Sequence, residues 1–295
     1  MRTWRTMLVA LLALAGGLAV MLPVAAQQAG TQFMGILGYR VGPYGANGAA
    51  FFTGLHFANR EAKRLVPEQP ADFMGTVCIT AFITGLLGAR LFHILEHPVE
   101  FLAHPGDMLL SRAGFTIFGG LIVGTICGLV YCRAKRAPFG PVLDAIAPAV
   151  MLAYAIGRIG CQISGDGDWG IPADLAAKPT WLPLWLWAQT YTGNIAGVDI
   201  PPPGVYPTPI YETVMSLIAF GLLWSLRRHR HRAGWLFGLY ILLAGIERLL
   251  IESIRVNTAY EIFGRSITQA QIIASLCLVG GVAVMIWRRG APKPP

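Results

Sequence analysis

Three residues in the stretch ERLLIESIR (247–255) repeat as R-x-x-x-E-x-x-R: Arg248, Glu252 and Arg255. On a continuous helix that spacing puts all three on one face. A second group lies in GRIGCQISGDGDWG (157–170), where Arg158 is followed by Cys161, Asp166 and Asp168 among five glycines. Tyr211 and Glu212 stand together in YPTPIYE (206–212), and Arg90 precedes His93 in GARLFHIL (88–95). A guanidinium is a planar fork that grips two oxygens of a phosphate. A nearby carboxylate either holds such an arginine in place or accepts a proton. The chemistry these types can do is therefore recognition of a phosphate and stabilisation of its developing charge as it leaves.

The elements that carry these residues are apolar. The chain has 295 residues, 55% hydrophobic and 13% charged, where soluble domains carry about 25% charged residues. A mean hydropathy of +0.56 points to a polytopic membrane protein. Seven apolar runs are read at 36–59, 72–95, 114–132, 141–160, 209–226, 233–252 and 268–287, each able to cross a hydrocarbon core of ~30 Å. Basic residues follow the first, third, fifth and seventh runs (Arg60 to Arg64, Arg133 to Arg136, Arg227 to Arg232, Arg288 to Lys293). Alternate loops are thus positive, which places them in the cytoplasm. The net charge of +8 is accounted for by these clusters facing anionic lipid. No basic face is interleaved with aromatics, so nucleic-acid binding is not expected.

The predicted architecture is all-α: seven core transmembrane helices in one domain over 27–290, with a cytoplasmic tail at 291–295. Residues 1–26 read either as a signal peptide, with Arg2 and Arg5 ahead of an apolar core and VAA at 24–26, or as an extra transmembrane helix. The loop at about 161–208 falls on the extracytoplasmic side, and Trp181, Trp185 and Trp187 suit a segment at the membrane interface. Intramembrane charge is costly and points to function. Arg90, Arg158, Glu212, Arg248, Glu252 and Arg255 all fall at the outer ends of their runs, where the available anion is a lipid phosphodiester. The bland alternative is that they are ion pairs locking helices, or arginines reaching for headgroups.

Three further features qualify this reading. The glycines at 157 and 160 permit close helix approach, and those at 165, 167 and 170 permit sharp turns. Asp166 and Asp168 have D-x-D spacing, which suits a divalent cation but stands alone here; a role as base or as partner for Arg158 is the better reading. HILEH (93–97) matches H-x-x-E-H, an inverted zinc-protease pattern, but Pro98 disfavours helical backbone at His97, and no metalloprotease is read from it. The five cysteines form neither a disulfide framework nor a zinc pattern.

Over roughly 36–289 the sequence resembles the prolipoprotein diacylglyceryl transferase family. The similarity is carried in order by GARLFHIL (88–95), GFTIFGGLIVG (114–124), DAIAPAVMLAYAIGRIG (144–160), YPTPIYE (206–212) and ERLLIESIR (247–255). The resemblance implies transfer of the diacylglyceryl group of phosphatidylglycerol to the lipobox cysteine thiol of an exported prolipoprotein, in the bacterial inner membrane, with its active site extracytoplasmic. It implies no cofactor and no metal. Arg158, Arg248 and Glu252 match the family's functional positions, and Asp166, slightly favoured over Asp168, replaces its glutamate. Tyr44, Gly119, Gly120, Gly160, Tyr211, Glu212 and Arg255, with Arg158 and Arg248, are the implied lipid-binding residues.

The sequence also departs from the family pattern. Phe118 stands where a histidine is usual, Cys161 and Ser164 replace asparagines, Gln162 replaces a phenylalanine and Tyr206 a histidine. Two other functions remain open on these departures: a lipid-headgroup transferase with a different acceptor, and a non-catalytic lipid-binding or transport protein.

Overall fold

The structure is a computed structural model that describes residues 45–110, 116–255, 259–262 and 265–290. The predicted signal or extra helix at 1–26, Tyr44 and the tail at 291–295 lie outside the described residues, as does the side chain of Phe118. The chain forms α1 (Gly45–Leu65), α2 (Phe73–Glu96), two short helices α3 (Pro98–Ala103) and α4 (Pro105–Leu110), α5 (Ile117–Ala134), α6 (Phe139–Ser164), α7 (Thr208–Leu226), α8 (Trp235–Glu252) and α9 (Gln269–Trp287). A short antiparallel hairpin, β1 (Ala259–Ile262) and β2 (Arg265–Thr268), precedes α9, in the register Ala259 to Thr268 and Ile262 to Arg265.

Each of the seven long helices overlaps one of the seven apolar runs, and the all-α membrane fold is as the sequence implies. Among the described residues, α2, α6, α7 and α9 are long and apolar enough to span a bilayer by themselves. α8 carries Glu247, Arg248 and Glu252 in its last turns. Large apolar side chains face outward along these helices, with Leu87, Ile218 and Val279 between 65% and 70% exposed. Water would make such surfaces unfavourable, whereas lipid tails are their natural neighbours.

The chain divides into two compact units, one ending at Gly160 and the other beginning at Cys161. In the first, α2 and α5 pack through glycine. A Cβ on Gly119 would fall 2.5 Å from the Gly88 carbonyl oxygen, and one on Gly120 would fall 3.1 Å from that of Gly85. Only a helix face without side chains permits this approach. α1 likewise meets α6 where Gly54 lies against Ala149 and Ala153. A cluster of small and apolar residues, including Ala58, Phe73, Met74, Cys132, Ala145 and Ala149, fills the end of this unit nearest its basic loops.

In the second unit, α8 and α9 pair through Gly238, Gly245 and Gly281, where a Cβ on Gly245 would fall 2.9 Å from the Ala274 carbonyl oxygen. α9 begins with a capping box: the Thr268 hydroxyl accepts the Gln271 N–H, and the Gln271 side chain accepts the Thr268 N–H, each at 3.1 Å. At the opposite end the Arg232 N–H donates to the Arg288 carbonyl at 3.1 Å, which ties the arginine-rich loop before α8 to the end of α9.

α6 runs to Ser164, beyond the expected end of its run at 160, so Arg158 sits inside the helix. The chain then turns at Gly165 and Gly167, with φ of +60° and +97°, where glycine carries no steric penalty. Backbone hydrogen bonds hold the loop that follows. The Ile195 N–H reaches the Ser164 carbonyl at 3.0 Å, and the Gln189 and Val205 backbones exchange two hydrogen bonds. Trp181 and Trp185 are exposed, as expected of interface residues, while the Trp187 indole donates to the Asp174 carbonyl at 2.8 Å.

Candidate active site

In the second unit, a polar network forms where the loop after α6 meets the start of α7 and the end of α8. Arg255 donates to Asp168 Oδ1 at 2.6 Å and to Glu212 Oε1 at 3.4 Å. Asp168 is partly exposed, and Glu212 is buried. The backbone fixes the arrangement as firmly as the charges do. Gly170 bridges to Arg255, the Ile171 N–H donates to the Ile254 carbonyl at 2.8 Å, and the Gly170 N–H donates to that of Tyr206 at 2.9 Å. A Cβ on Gly170 would fall 2.5 Å from the Ile254 oxygen, so glycine is required at this crossing. The Thr208 hydroxyl, at the first position of α7, donates to the Asp168 carbonyl at 2.7 Å.

Arg248 and Glu252 pair along α8 at 3.2 Å, with the Glu252 side chain fully buried and Arg248 one-third exposed. The Thr268 hydroxyl donates to Glu252 at 2.5 Å. One residue therefore caps α9 and anchors the carboxylate that holds Arg248. A turn further back, Glu247 accepts the Ser216 hydroxyl at 2.7 Å in a buried pair between α8 and α7.

The expectation that Arg248, Glu252 and Arg255 share one helical face is corrected. α8 ends at Glu252, the chain turns at Ser253 and Ile254, and Arg255 joins the Gly170 bridge. The first two residues act along the helix, and the third acts across elements. The two aspartates also separate. Asp168 carries the ion pair to Arg255, and its Oδ2 lies 3.9 Å from the Cys161 thiol. Asp166 accepts the Asp168 N–H at 3.3 Å, a local turn contact. Cys161, Asp166 and Asp168 place one potential ligand atom each within 4.8 Å, but Asp168 is already committed to Arg255. Tyr211 uses its hydroxyl on the Leu186 carbonyl at 2.6 Å, securing the loop to α7.

In the first unit, Arg158 is buried and lies over the Tyr154 ring at 5.8 Å. Arg90 is buried near the end of α2. Gly119 and Gly120 occur at the α2–α5 crossing, and Gly160 is buried in α6. Tyr44 lies outside the described residues.

A sequence profile of the prolipoprotein diacylglyceryl transferase family matches residues 33–287. The chain belongs to this family. A protein of Symbiobacterium thermophilum named phosphatidylglycerol–prolipoprotein diacylglyceryl transferase is 33% identical over 223 residues, covering 73% of this chain and 76% of its own. Proteins of the same name from Lactobacillus johnsonii and Staphylococcus carnosus are 27% and 28% identical, each covering 84% of this chain and 86% of their own. Arg158, Arg248, Glu252 and the Asp168–Arg255–Glu212 network all lie within the matched span.

Proposed function

We propose that the chain transfers the diacylglyceryl group of phosphatidylglycerol to the cysteine thiol of an exported prolipoprotein, in the bacterial inner membrane and on its extracytoplasmic side. The observation that carries this reading is the Asp168–Arg255–Glu212 network, within a chain of this family. It sits beside the Arg248–Glu252 pair at the one end of the second unit that lacks the arginine-rich loops. Positive loops mark the cytoplasm, so this end faces outward.

The reaction joins the substrate sulfur to the glycerol carbon that bears the phosphate. The carbon–oxygen bond to phosphate breaks, and glycerol phosphate leaves with the bonding electrons. The attacking thiol must lose its proton. Asp168 Oδ2, which already faces a sulfur in Cys161, is the group that takes it in this reading. Asp168 Oδ1 stays on Arg255. Arg248 supplies a fork for the phosphate oxygens, where preorganised charge lowers the barrier most, and Arg158, buried in the other unit, is an arginine fork of the same kind. Glu252 and Glu212 hold Arg248 and Arg255 in place. Phosphatidylglycerol and the prolipoprotein are the substrates, the bilayer is the medium, and the chain's own side chains perform each step.

The test uses purified protein in phosphatidylglycerol vesicles with a lipobox peptide, reading glycerol phosphate release and the mass of the peptide. Release coupled to a diacylglyceryl mass gain on the cysteine is expected. Release without peptide modification selects a transferase with another acceptor, and lipid binding without release selects a non-catalytic protein.

A further inference from the structure

The HILEH segment (93–97) takes no part in the reaction above, yet it closes into a compact donor set. His93, Glu96 and His97 each offer one ligand atom, all within 4.8 Å of one another. The set lies at the end of α2 away from the basic loops, since the start of α2 is tied to that side by the Gln69 side chain donating to the Lys135 carbonyl at 3.3 Å. α2 ends at Glu96, and His97 takes the non-helical φ and ψ of −126° and 58°, as a residue before proline does. That bend turns the His97 ring back, and its Nδ1 lies 3.1 Å from the His93 carbonyl oxygen.

A carbonyl oxygen can only accept, so Nδ1 carries the hydrogen, and Nε2 is the ring nitrogen left to bind an ion. This is the arrangement of histidines that ligate metals, whose other ring nitrogen donates to a carbonyl or carboxylate. Glu96 is oriented in the same way. The Thr116 hydroxyl, just ahead of α5, donates to its Oε2 at 2.7 Å. The two imidazole rings are already together, with centroids 4.6 Å apart.

We infer that His93, Glu96 and His97 form a binding site for a borderline divalent transition metal such as Zn2+, Cu2+ or Ni2+. Two imidazoles and a carboxylate suit these ions, and the oxygen-seeking Mg2+ and Ca2+ are poorly matched. In a tetrahedral site with bonds of about 2.0–2.1 Å, ligand atoms stand about 3.3 Å apart. Side-chain rotation of roughly 1 Å at the exposed Glu96 and the two half-buried histidines brings the set to that spacing. Water completes the shell. The bound ion clamps the end of α2 and, through Glu96 and Thr116, holds it to the start of α5.

The test uses the full chain in detergent, free of any affinity tag and stripped with chelator. Cu2+ is added and followed by electron paramagnetic resonance, and Zn2+ is titrated against a chromophoric chelator. One equivalent bound per chain is expected, with coupling to two imidazole nitrogens. His97→Ala should reduce the coupling to one nitrogen and weaken Zn2+ at least tenfold, as should His93→Ala; Glu96→Gln should weaken it by a similar factor. The chain's other close histidine pair, His229 and His231, is the control, and His229→Ala with His231→Ala should leave the affinity unchanged. Thermal unfolding without metal shows whether each variant is still folded. Wild-type affinity in the folded His93→Ala, His97→Ala double variant overturns the site. So does loss of binding in the His229, His231 variant alone.

Discussion

Asp168→Asn is the perturbation that most directly tests which carboxylate matters. Arg255 contacts Asp168 at 2.6 Å and Glu212 at 3.4 Å, so Asp168 is its shorter partner. A hydrogen bond to a charged group contributes about 1.5–3 kcal/mol, and asparagine keeps an acceptor oxygen while losing the charge. Asp168 is 27% exposed, so water screens part of the loss. For the anchoring role alone, about 1.5–2 kcal/mol is the expected rise in barrier, or roughly 10- to 30-fold in rate, and loss of the proton acceptor adds roughly 10²-fold or more. Asp166→Asn preserves the single acceptor contact to the Asp168 N–H at 3.3 Å and should change turnover less than about threefold. Both variants are measured by glycerol phosphate release in the same vesicles, with protein level and thermal unfolding recorded alongside. Glu212→Gln is the companion: its contact to Arg255 is longer, so as an anchor it should cost less than Asp168→Asn, and a loss in Asp168→Asn well beyond the roughly 30-fold that the lost anchor explains marks Asp168 as the proton acceptor. A greater loss in Asp166→Asn than in Asp168→Asn would refute the assignment and return the role to the carboxylate favoured by sequence alone.

Other residues give independent checks. Arg158→Ala and Arg248→Ala should each reduce turnover about 100-fold or more while the protein still accumulates in the membrane, and lysine should not rescue either, because a point charge replaces a fork; near-wild-type release in either alanine variant removes that arginine from the phosphate site. Cys161→Ser should retain most activity, because the acceptor brings its own thiol, and a dead but folded variant would make Cys161 a nucleophile. Gly119→Ala puts a Cβ 2.5 Å from the Gly88 carbonyl oxygen and should destabilise the α2–α5 pair by about 1–3 kcal/mol, read as a lower unfolding temperature in detergent; unchanged stability would mean that the crossing is looser than its geometry. Phe118→Leu should cost less than tenfold in turnover, as a packing change alone, and collapse of activity at normal protein level would give the ring a direct part.

The helices were legible because a bilayer leaves the backbone few options. Every N–H and C=O in hydrocarbon must be paired within the segment, so an apolar run of span length is a helix, and seven runs became seven helices. The boundaries were less legible where charge and helix coexist. The first apolar run ends before Arg60, yet α1 continues to Leu65, because Glu61 and Arg64 pair at 2.5 Å one turn apart and satisfy each other on the helix. The glycines of GFTIFGGLIVG were read as lipid-binding positions, and Gly119 and Gly120 also stand against the Gly88 and Gly85 carbonyls. A sequence does not distinguish a glycine that admits a lipid from one that admits a neighbouring helix.

The site was legible in composition and not in pairing. Arg248 and Glu252 could be joined from their spacing because a helix surface makes residues four apart neighbours. Arg255 could not be joined to Asp168 in this way, because 87 positions separate them and only tertiary structure brings them together. The one local clue was available. The stretch AYEIFGRSIT (259–268) has alternating residues around a central Gly264, a hairpin signal. A hairpin so soon after Arg255 implies that the preceding helix stops short of it. Once α8 ends at Glu252, Arg255 is free to reach sideways, and the two carboxylates within its reach are those on the neighbouring loop and helix start. The motif R-x-x-x-E-x-x-R therefore encodes two couplings, one along a helix and one across three elements. Only the second fixes which aspartate in GDGDWG meets an arginine, and Gly170 decides it by letting the loop backbone pair with Ile254 and Arg255 just after Asp168.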